Sequence, residues 1–316
     1  MTASAPPPPS GPAAADSIRR ADTVFLTVLV ALGGFYVAAL VALMTADVAF
    51  LATAGAAPAA PLRLLQPVWN AGQALLGVFA DPAIRHSFAL TLVSCSITTL
   101  LSLVVAIPLG YLLSRHEFRG RQLVDAILDI PIVLPPLVLG ISLLILFQFW
   151  PFRLVADRVV FQVPAVILAQ FMVSAAFAAR IMRAGFDQID PRQERVAVVL
   201  GCTRAQAFTR VVLPQAGGPI LAAGTIAWAR ALGEFGPLLV FAGATRMKTE
   251  VLSTTVFLEL SIGNLRAAVA VSVLMVLAAV VVLVVTRACA GGWLAGGGRR
   301  STIAAAPAAE RKSFFS

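Results

Sequence analysis

Charge is scarce in this sequence: Lys, Arg, Asp and Glu make up 12% of 316 residues, about half the share of an ordinary soluble domain. Lysine is nearly missing, with only Lys248 and Lys312 among 24 basic residues. So few solvated side chains cannot cover a globule, which excludes most soluble-enzyme readings. Histidine occurs only at His86 and His116, and cysteine only at Cys95, Cys202 and Cys289. The two histidines flank opposite ends of one apolar block, so they cannot share a metal. Three dispersed cysteines form neither a disulfide framework nor a zinc motif, and free thiols are expected. A Gly-x-x-x-x-Gly-Lys-Ser/Thr loop is also missing: the nearest approach, Gly243 to Thr249, has Met247 in place of the second glycine. The chain therefore lacks that means of holding ATP, and no cofactor or metal site is expected on it.

Apolar residues are abundant instead, at 59% of the chain, with a mean hydropathy of +0.90. They fall in blocks of about 20, the length that crosses ~30 Å of hydrocarbon. Six blocks are readable: Val24 to Thr45, Ser87 to Leu113, Leu123 to Phe149, Pro164 to Met182, Gly217 to Ala242 and Leu265 to Thr286. The expected fold is an all-α polytopic membrane protein with about six transmembrane helices and both ends on one side. The first block is longer than the apolar region of a signal peptide and reads as an uncleaved span. The loop from Asp47 to Arg85 holds Pro58, Pro61, Arg63, Pro67 and Asn70, which break every window for a seventh. Residues 1–20 are too rich in Pro, Ala and Gly to pack and read as a disordered cytosolic tail. Residues 21–290 read as the transmembrane domain, with a core at 85–285. Residues 291–316 read as a basic tail too short for a folded regulatory domain.

Orientation follows from the basic residues. With the N-terminus inside, sixteen Lys and Arg fall on the cytosolic side and seven outside, so the positive-inside rule favours N-in, C-in in a plasma (inner) membrane. The cytosolic segment Ala184 to Pro214 is the most informative. Asp190 is a good N-cap, Pro191 suits the first helical position and Gln193 completes a capping pattern. Gly201 suits the left-handed position that ends a helix, and Thr203 with Gln206 repeats the cap pattern before Pro214. The spacing predicts a helix, a glycine corner and a second helix. An arginine-rich segment lying on anionic headgroups is the competing reading.

This loop resembles the integral permeases of binding-protein-dependent ABC importers. Their cytosolic signature reads Glu-Ala-Ala, three residues, Gly, nine residues, Ile, one residue, Leu-Pro. From Gly201, nine residues lead to Val211, Val212, Leu213 and Pro214, so the second half matches with Val for Ile. The first half departs: Arg195 and Val196 replace Glu and the first Ala, Ala197 matches the second, and Glu194 lies one residue early, leaving Glu194 to supply the carboxylate. The resemblance implies a type I importer permease fold and a coupling helix, about Arg192 to Phe208, seated in a groove on a separate ATPase subunit. Its site residues would be Arg192, Glu194, Arg195, Ala197, Gly201, Leu213 and Pro214. It further implies ATP and Mg on that partner, an extracytoplasmic binding protein, a permease homodimer and alternating access.

The fifth block carries Arg230 and Glu234 four residues apart, on one helix face where they can neutralise each other. The run Ala231-Leu232-Gly233-Glu234-Phe235-Gly236, with Pro131 to Gly140 in the third block, is similar to the sulfate, molybdate and tungstate branch of the family. Pro135, Pro136, Gly140, Arg230, Gly233, Glu234 and Gly236 are the expected pathway or gate residues. A helix N-terminus, kinked backbone N–H groups and an arginine suit an oxyanion in transit. Two other functions remain open at this point. One is an importer permease for another substrate; the other is an ion-coupled secondary transporter using Arg230, Glu234, Asp125 and Asp129 without any ATPase.

Overall fold

The computed structural model describes residues 12–53, 77 and 79–297. Of the expected tail at residues 1–20, residues 1–11 lie outside the described residues, and helix α1 (Pro12–Thr53) already begins at Pro12. Residues 54–76 of the long loop and residues 298–316 of the basic tail also lie outside them. Among the described residues every regular element is helical. The chain divides into two units, residues 1–74 and 75–316. In the first, α1 holds the 27-residue apolar stretch Phe25–Leu51, about 40 Å long at 1.5 Å per residue.

The second unit opens with α2 (Pro82–Arg115), whose N-cap Asp81 accepts a bond from the Ala83 N–H at 2.8 Å with proline at the first helical position. Short helices α3 (Arg121–Val133) and α4 (Pro136–Leu146) follow. A 3-10 turn (Phe152–Val155) and α5 (Ala156–Val159) lead to the long α6 (Val163–Asp187). The loop contains α7 (Pro191–Val199), α8 (Arg204–Ala207), a π-turn (Phe208–Val212) and α9 (Leu213–Gln215). Then come α10 (Gly217–Leu232), a second π-turn (Leu238–Ala242), α11 (Leu252–Ser261) and α12 (Leu265–Gly297).

Among the described residues four helices are long and apolar enough to cross a membrane, and two bent pairs raise the number to as many as six if each is one span. One bend lies within the third block, at the prolines that interrupt it in the sequence; the other, of 71°, lies between Gln215 and Gly217, where the loop passes into α10. Between α3 and α4 the axis turns by 114°. Pro135 and Pro136 remove two consecutive N–H donors, and Leu134 before them takes an extended conformation at φ −64°, ψ 139°, the conformation that a following proline favours. The turn also relieves an electrostatic problem. A straight span would carry Asp125 and Asp129 into hydrocarbon, at about 2.5–3.5 kcal/mol for each near the centre. Instead α3 exposes Leu123, Ile127 and Ile130 on one face, while Asp125 and Asp129 on the other pair with Arg183 and Arg180 near the end of α6. In the fifth block α10 ends at Leu232, residues 233–235 are not helical, and the chain is helical again from Gly236 into the π-turn.

Packing rests on small side chains. Ser87, Thr91, Ser94, Thr98, Ser102 and Ala106 form a fully buried stripe on α2 that meets Ala165, Ala169, Gln170 and Ser174 on α6. Close backbone approach of this kind, with hydroxyls as glue, is how helices associate where lipid cancels the hydrophobic drive. Within the seam, Thr98 donates to Gln170 Oε1 at 3.2 Å and Gln170 Nε2 donates to the Cys95 sulfur at 3.7 Å. Cys95 and Cys202 are free thiols, as expected; the Cys289 side chain lies outside the described ones. Phe186, Met182, Ile189 and Val212 form one apolar core at the loop end of the bundle, and Leu139, Phe147, Val166 and Phe241 form another towards the far end.

Candidate functional site

The loop is built largely as its sequence spacing requires, except that Asp190 and Gln193 form no capping box at the start of α7. The Asp190 carboxylate accepts from the Arg192 N–H at 2.9 Å. At the other end of α7, Gly201 has φ +94°, its N–H bonds the Val198 carbonyl at 3.0 Å, and the Cys202 N–H bonds the Ala197 carbonyl at 3.0 Å. This pair of bonds is the Schellman arrangement. Thr203 and Gln206 then cap α8 reciprocally, at 3.2 and 2.9 Å. Every junction of the projection is therefore closed by hydrogen bonds. From it α7 presents Val196, Val199 and Leu200, with 85% of Val199 and 80% of Leu200 exposed. These form an apolar patch at helical spacing, among the exposed Arg192, Gln193 and Arg195.

Of the seven loop candidates, Ala197 is buried and Glu194 is half-buried, while Arg192, Arg195 and Gly201 are exposed. Leu213 and Pro214 open α9, which carries the chain into α10. Glu194 turns inward, where its Oε1 accepts the Tyr111 hydroxyl and its Oε2 lies 3.7 Å from Arg115 Nε. It does not stand on the outer surface, where a carboxylate for the ATPase was expected. No motif signalled Tyr111, because its partner lies 83 residues away.

Three of the seven pathway candidates meet in a single contact. A Cβ built on Gly236 would lie 2.9 Å from Pro136 Cβ and 3.0 Å from the Leu137 nitrogen; one on Gly140 would lie 2.9 Å from Pro237 Cα. Backbone therefore packs on backbone between the start of α4 and the break after α10, a spacing only glycine permits. Pro135 caps α4 and Gly233 caps α10, so both border this contact. The Arg230 and Glu234 side chains pair at 2.7 Å as the spacing predicts. Glu234 is buried, and the Arg230 guanidinium sits 5.2 Å above the Phe177 ring. The Glu234 carbonyl accepts from Ser253 Oγ at 2.7 Å. Asp125 and Asp129, which a secondary transporter would need for coupling, are both engaged by arginines. Among the described residues no group of three His, Cys, Asp or Glu side chains is placed to hold a metal ion.

At the far end Arg246 pairs with Glu259, which also accepts from Asn264 Nδ2 at 2.9 Å. Beside them Glu250 is buried, with one carboxylate oxygen unbonded. Burial pushes the Glu250 carboxyl up, opposed by a hydrogen bond from Thr255 and the nearby Arg246, while Glu259 and Asp81 push the same way as burial.

Residues 106–291 match the family model of the binding-protein-dependent transport system inner membrane component. The chain belongs to that family. This region takes in the loop, α3, α4 and the glycine contact. Among relatives, the chain is 36% identical over 168 residues to the molybdate/tungstate transport system permease protein WtpB of Pyrococcus abyssi, covering 53% of this chain and 64% of that protein. It is 30% identical over 200 residues to the sulfate transport system permease protein CysT of Salmonella typhimurium, covering 62% and 72%. The match thus spans a little under two thirds of WtpB. Among solved structures, a bacterial ABC transporter for the import of the acidic polysaccharide alginate aligns with a TM-score of 0.61, at 20% identity, over 91% of this chain and 98% of that one. That likeness bears on fold alone, and it agrees with the type I permease fold expected from the loop.

Proposed function

We propose that this permease-family chain is the membrane-spanning subunit of an ATP-driven oxyanion importer, with tungstate or molybdate, or else sulfate, as cargo. The observation that carries the coupling role is the apolar patch Val196, Val199 and Leu200, raised on a projection whose junctions are all hydrogen-bonded. A solvated loop gains nothing from exposing valine and leucine on a rigid corner; a docking helix does. Two ATPase subunits, holding ATP and Mg, would each receive one such loop from a permease homodimer, and an extracytoplasmic binding protein would dock on the opposite face. The N-terminus and C-terminus would be cytoplasmic. The relatives named for molybdate, tungstate and sulfate support the cargo class. The Pro136–Gly236 contact and the Arg230–Glu234 pair supply the pathway elements that would rearrange.

Alternating access then follows from population shift. ATP-bound ATPase subunits and a loaded binding protein each favour one arrangement of the contact, and ATP hydrolysis restores the other. The test is uptake of molybdate, tungstate and sulfate into proteoliposomes holding this chain, its ATPase and its binding protein. Uptake of one oxyanion that requires ATP is the expected result. Uptake by the chain alone, without ATP, would replace this reading with a secondary transporter.

A further inference from the structure

The loop's first helix has two faces. Glu194 and Ala197, three residues apart, are the only positions of α7 that are not exposed, so the one acidic side chain of that helix points into the protein. There it meets the last turns of α2. Its two oxygens are divided between the Tyr111 hydroxyl and Arg115 Nε. Tyr111 is itself clamped: its ring lies 5.7 Å from Phe186 on the chain entering the loop and 4.5 Å from Phe208 on the chain leaving it. Arg115 Nη2 donates to the Ile189 carbonyl at 2.7 Å, and Ser114 Oγ donates to Asp187 at 2.6 Å. The end of α2 is thus fastened to both roots of the loop by Tyr111, Ser114 and Arg115, and to α7 itself through Glu194.

α2 is continuously helical over its 34 residues, with Pro108 inside it, about 51 Å from end to end at 1.5 Å per residue. Near its far end Thr91 Oγ1 accepts the Leu252 N–H at 2.9 Å, and Leu252 is followed by Ser253, whose hydroxyl bonds the Glu234 carbonyl. One rod therefore joins the loop to the segment that holds the Arg230–Glu234 pair. We propose that Glu194 is the positioning residue of coupling: through Tyr111 and Arg115 it converts a displacement of α7 into a displacement of α2, and it acts inside this chain without touching the ATPase. The inference rests on the docking role proposed above and assigns the route by which docking is felt. It also accounts for the departure from the family signature, since a carboxylate at position 194 faces α2, whereas position 195 faces outward.

The test uses the complete complex, with the ATPase that co-purifies with the wild-type chain, its binding protein and molybdate as the probe. Glu194→Ala and Glu194→Arg are expected to assemble with the ATPase and hydrolyse ATP at the wild-type basal rate. Uptake per ATP should fall by about tenfold or more, as suits the loss of a charge-assisted hydrogen bond. Tyr111→Phe, which keeps the ring, should lower it by a smaller factor, and Glu194→Arg with Arg115→Glu, which re-forms the ion pair but not the bonds to Tyr111 and Ile189, should restore part of it. A merely structural role would not yield that exchange rescue with assembly intact throughout. Loss of ATPase binding in Glu194→Ala would mean that Glu194 contacts the partner, and an unchanged uptake-per-ATP ratio would mean that α7 is felt by another route; either overturns the proposal. Failure of the wild-type chain to bind any ATPase would instead sink the docking role itself.

Discussion

Replacing Gly236 by alanine places a methyl group 2.9 Å from Pro136 Cβ, 3.0 Å from the Leu137 nitrogen and 3.1 Å from the Pro136 carbonyl carbon. Two of these three atoms are backbone, and the third belongs to a ring with no rotamer to change, so relief requires α4 and the post-α10 segment to separate. Overpacking of this kind costs about 1–3 kcal/mol. If the whole penalty falls on the packed arrangement, the ratio of packed to separated molecules drops by roughly 5- to 150-fold. A pathway that opens by parting this contact would then hydrolyse ATP out of step with transport. In reconstituted complexes, uptake per ATP is expected to fall at least as far as the lower bound. Gly218→Ala is the control, because a Cβ there has open space and alanine favours helix. Gly140→Ala should resemble Gly236→Ala, since its methyl group meets Pro237 across the same contact, and the double variant should be less than additive. A Gly236→Ala complex with the coupling ratio of Gly218→Ala would refute the idea that this contact moves.

Val199→Asp and Leu200→Asp should each weaken ATPase binding by about 10- to 100-fold, from the ~1.5–3 kcal/mol gained on burying such a side chain; titrated pull-down reads the change, while membrane insertion stays normal. Gly201→Pro should impair ATPase association or uptake, because proline cannot reach φ +94° and removes the N–H that bonds Val198; normal ATP-driven uptake in that variant would contradict the docking corner. The raised Glu250 carboxyl predicts a pH dependence. A group that holds its proton more tightly when folded adds stability below the unfolded value of 4.5 and loses that contribution as pH rises through the folded value. Glu250→Gln should therefore raise the thermal midpoint at pH 8 and leave it nearly unchanged at pH 4. Exchanging the charges of Asp125 and Arg183 together should keep the fold in detergent, whereas Asp125→Lys alone should lower its melting temperature.

Local chemistry made much of this legible in advance. Asp190, Gly201, Thr203 and Gln206 act through neighbours two to five residues away, so their roles could be read from spacing, and the structure places each hydrogen bond where the pattern required it. The apolar blocks likewise marked the spans, because hydrocarbon thickness fixes their length. Two consecutive prolines announced a break in the third block but not a turn of 114°. That angle depends on Arg180 and Arg183, which reach Asp129 and Asp125 across 51 and 58 residues. Glu194 misled for the same reason: the motif gave its place on the loop, while its direction is set by Tyr111 and Arg115, near in space and far along the chain.

The same separations order events during synthesis. At roughly 5–20 residues per second, Asp125 and Asp129 leave the ribosome about 3–12 s before Arg183 and Arg180 exist to receive them. Through that interval α3 has two carboxylates without their α6 partners on one side and Leu123, Ile127 and Ile130 on the other, which suits a helix resting flat at the headgroups. The bilayer thus acts as a waiting room. Only when α6 enters can its arginines draw α3 against the bundle, so the last step in seating this part of the pathway belongs to a helix made after it.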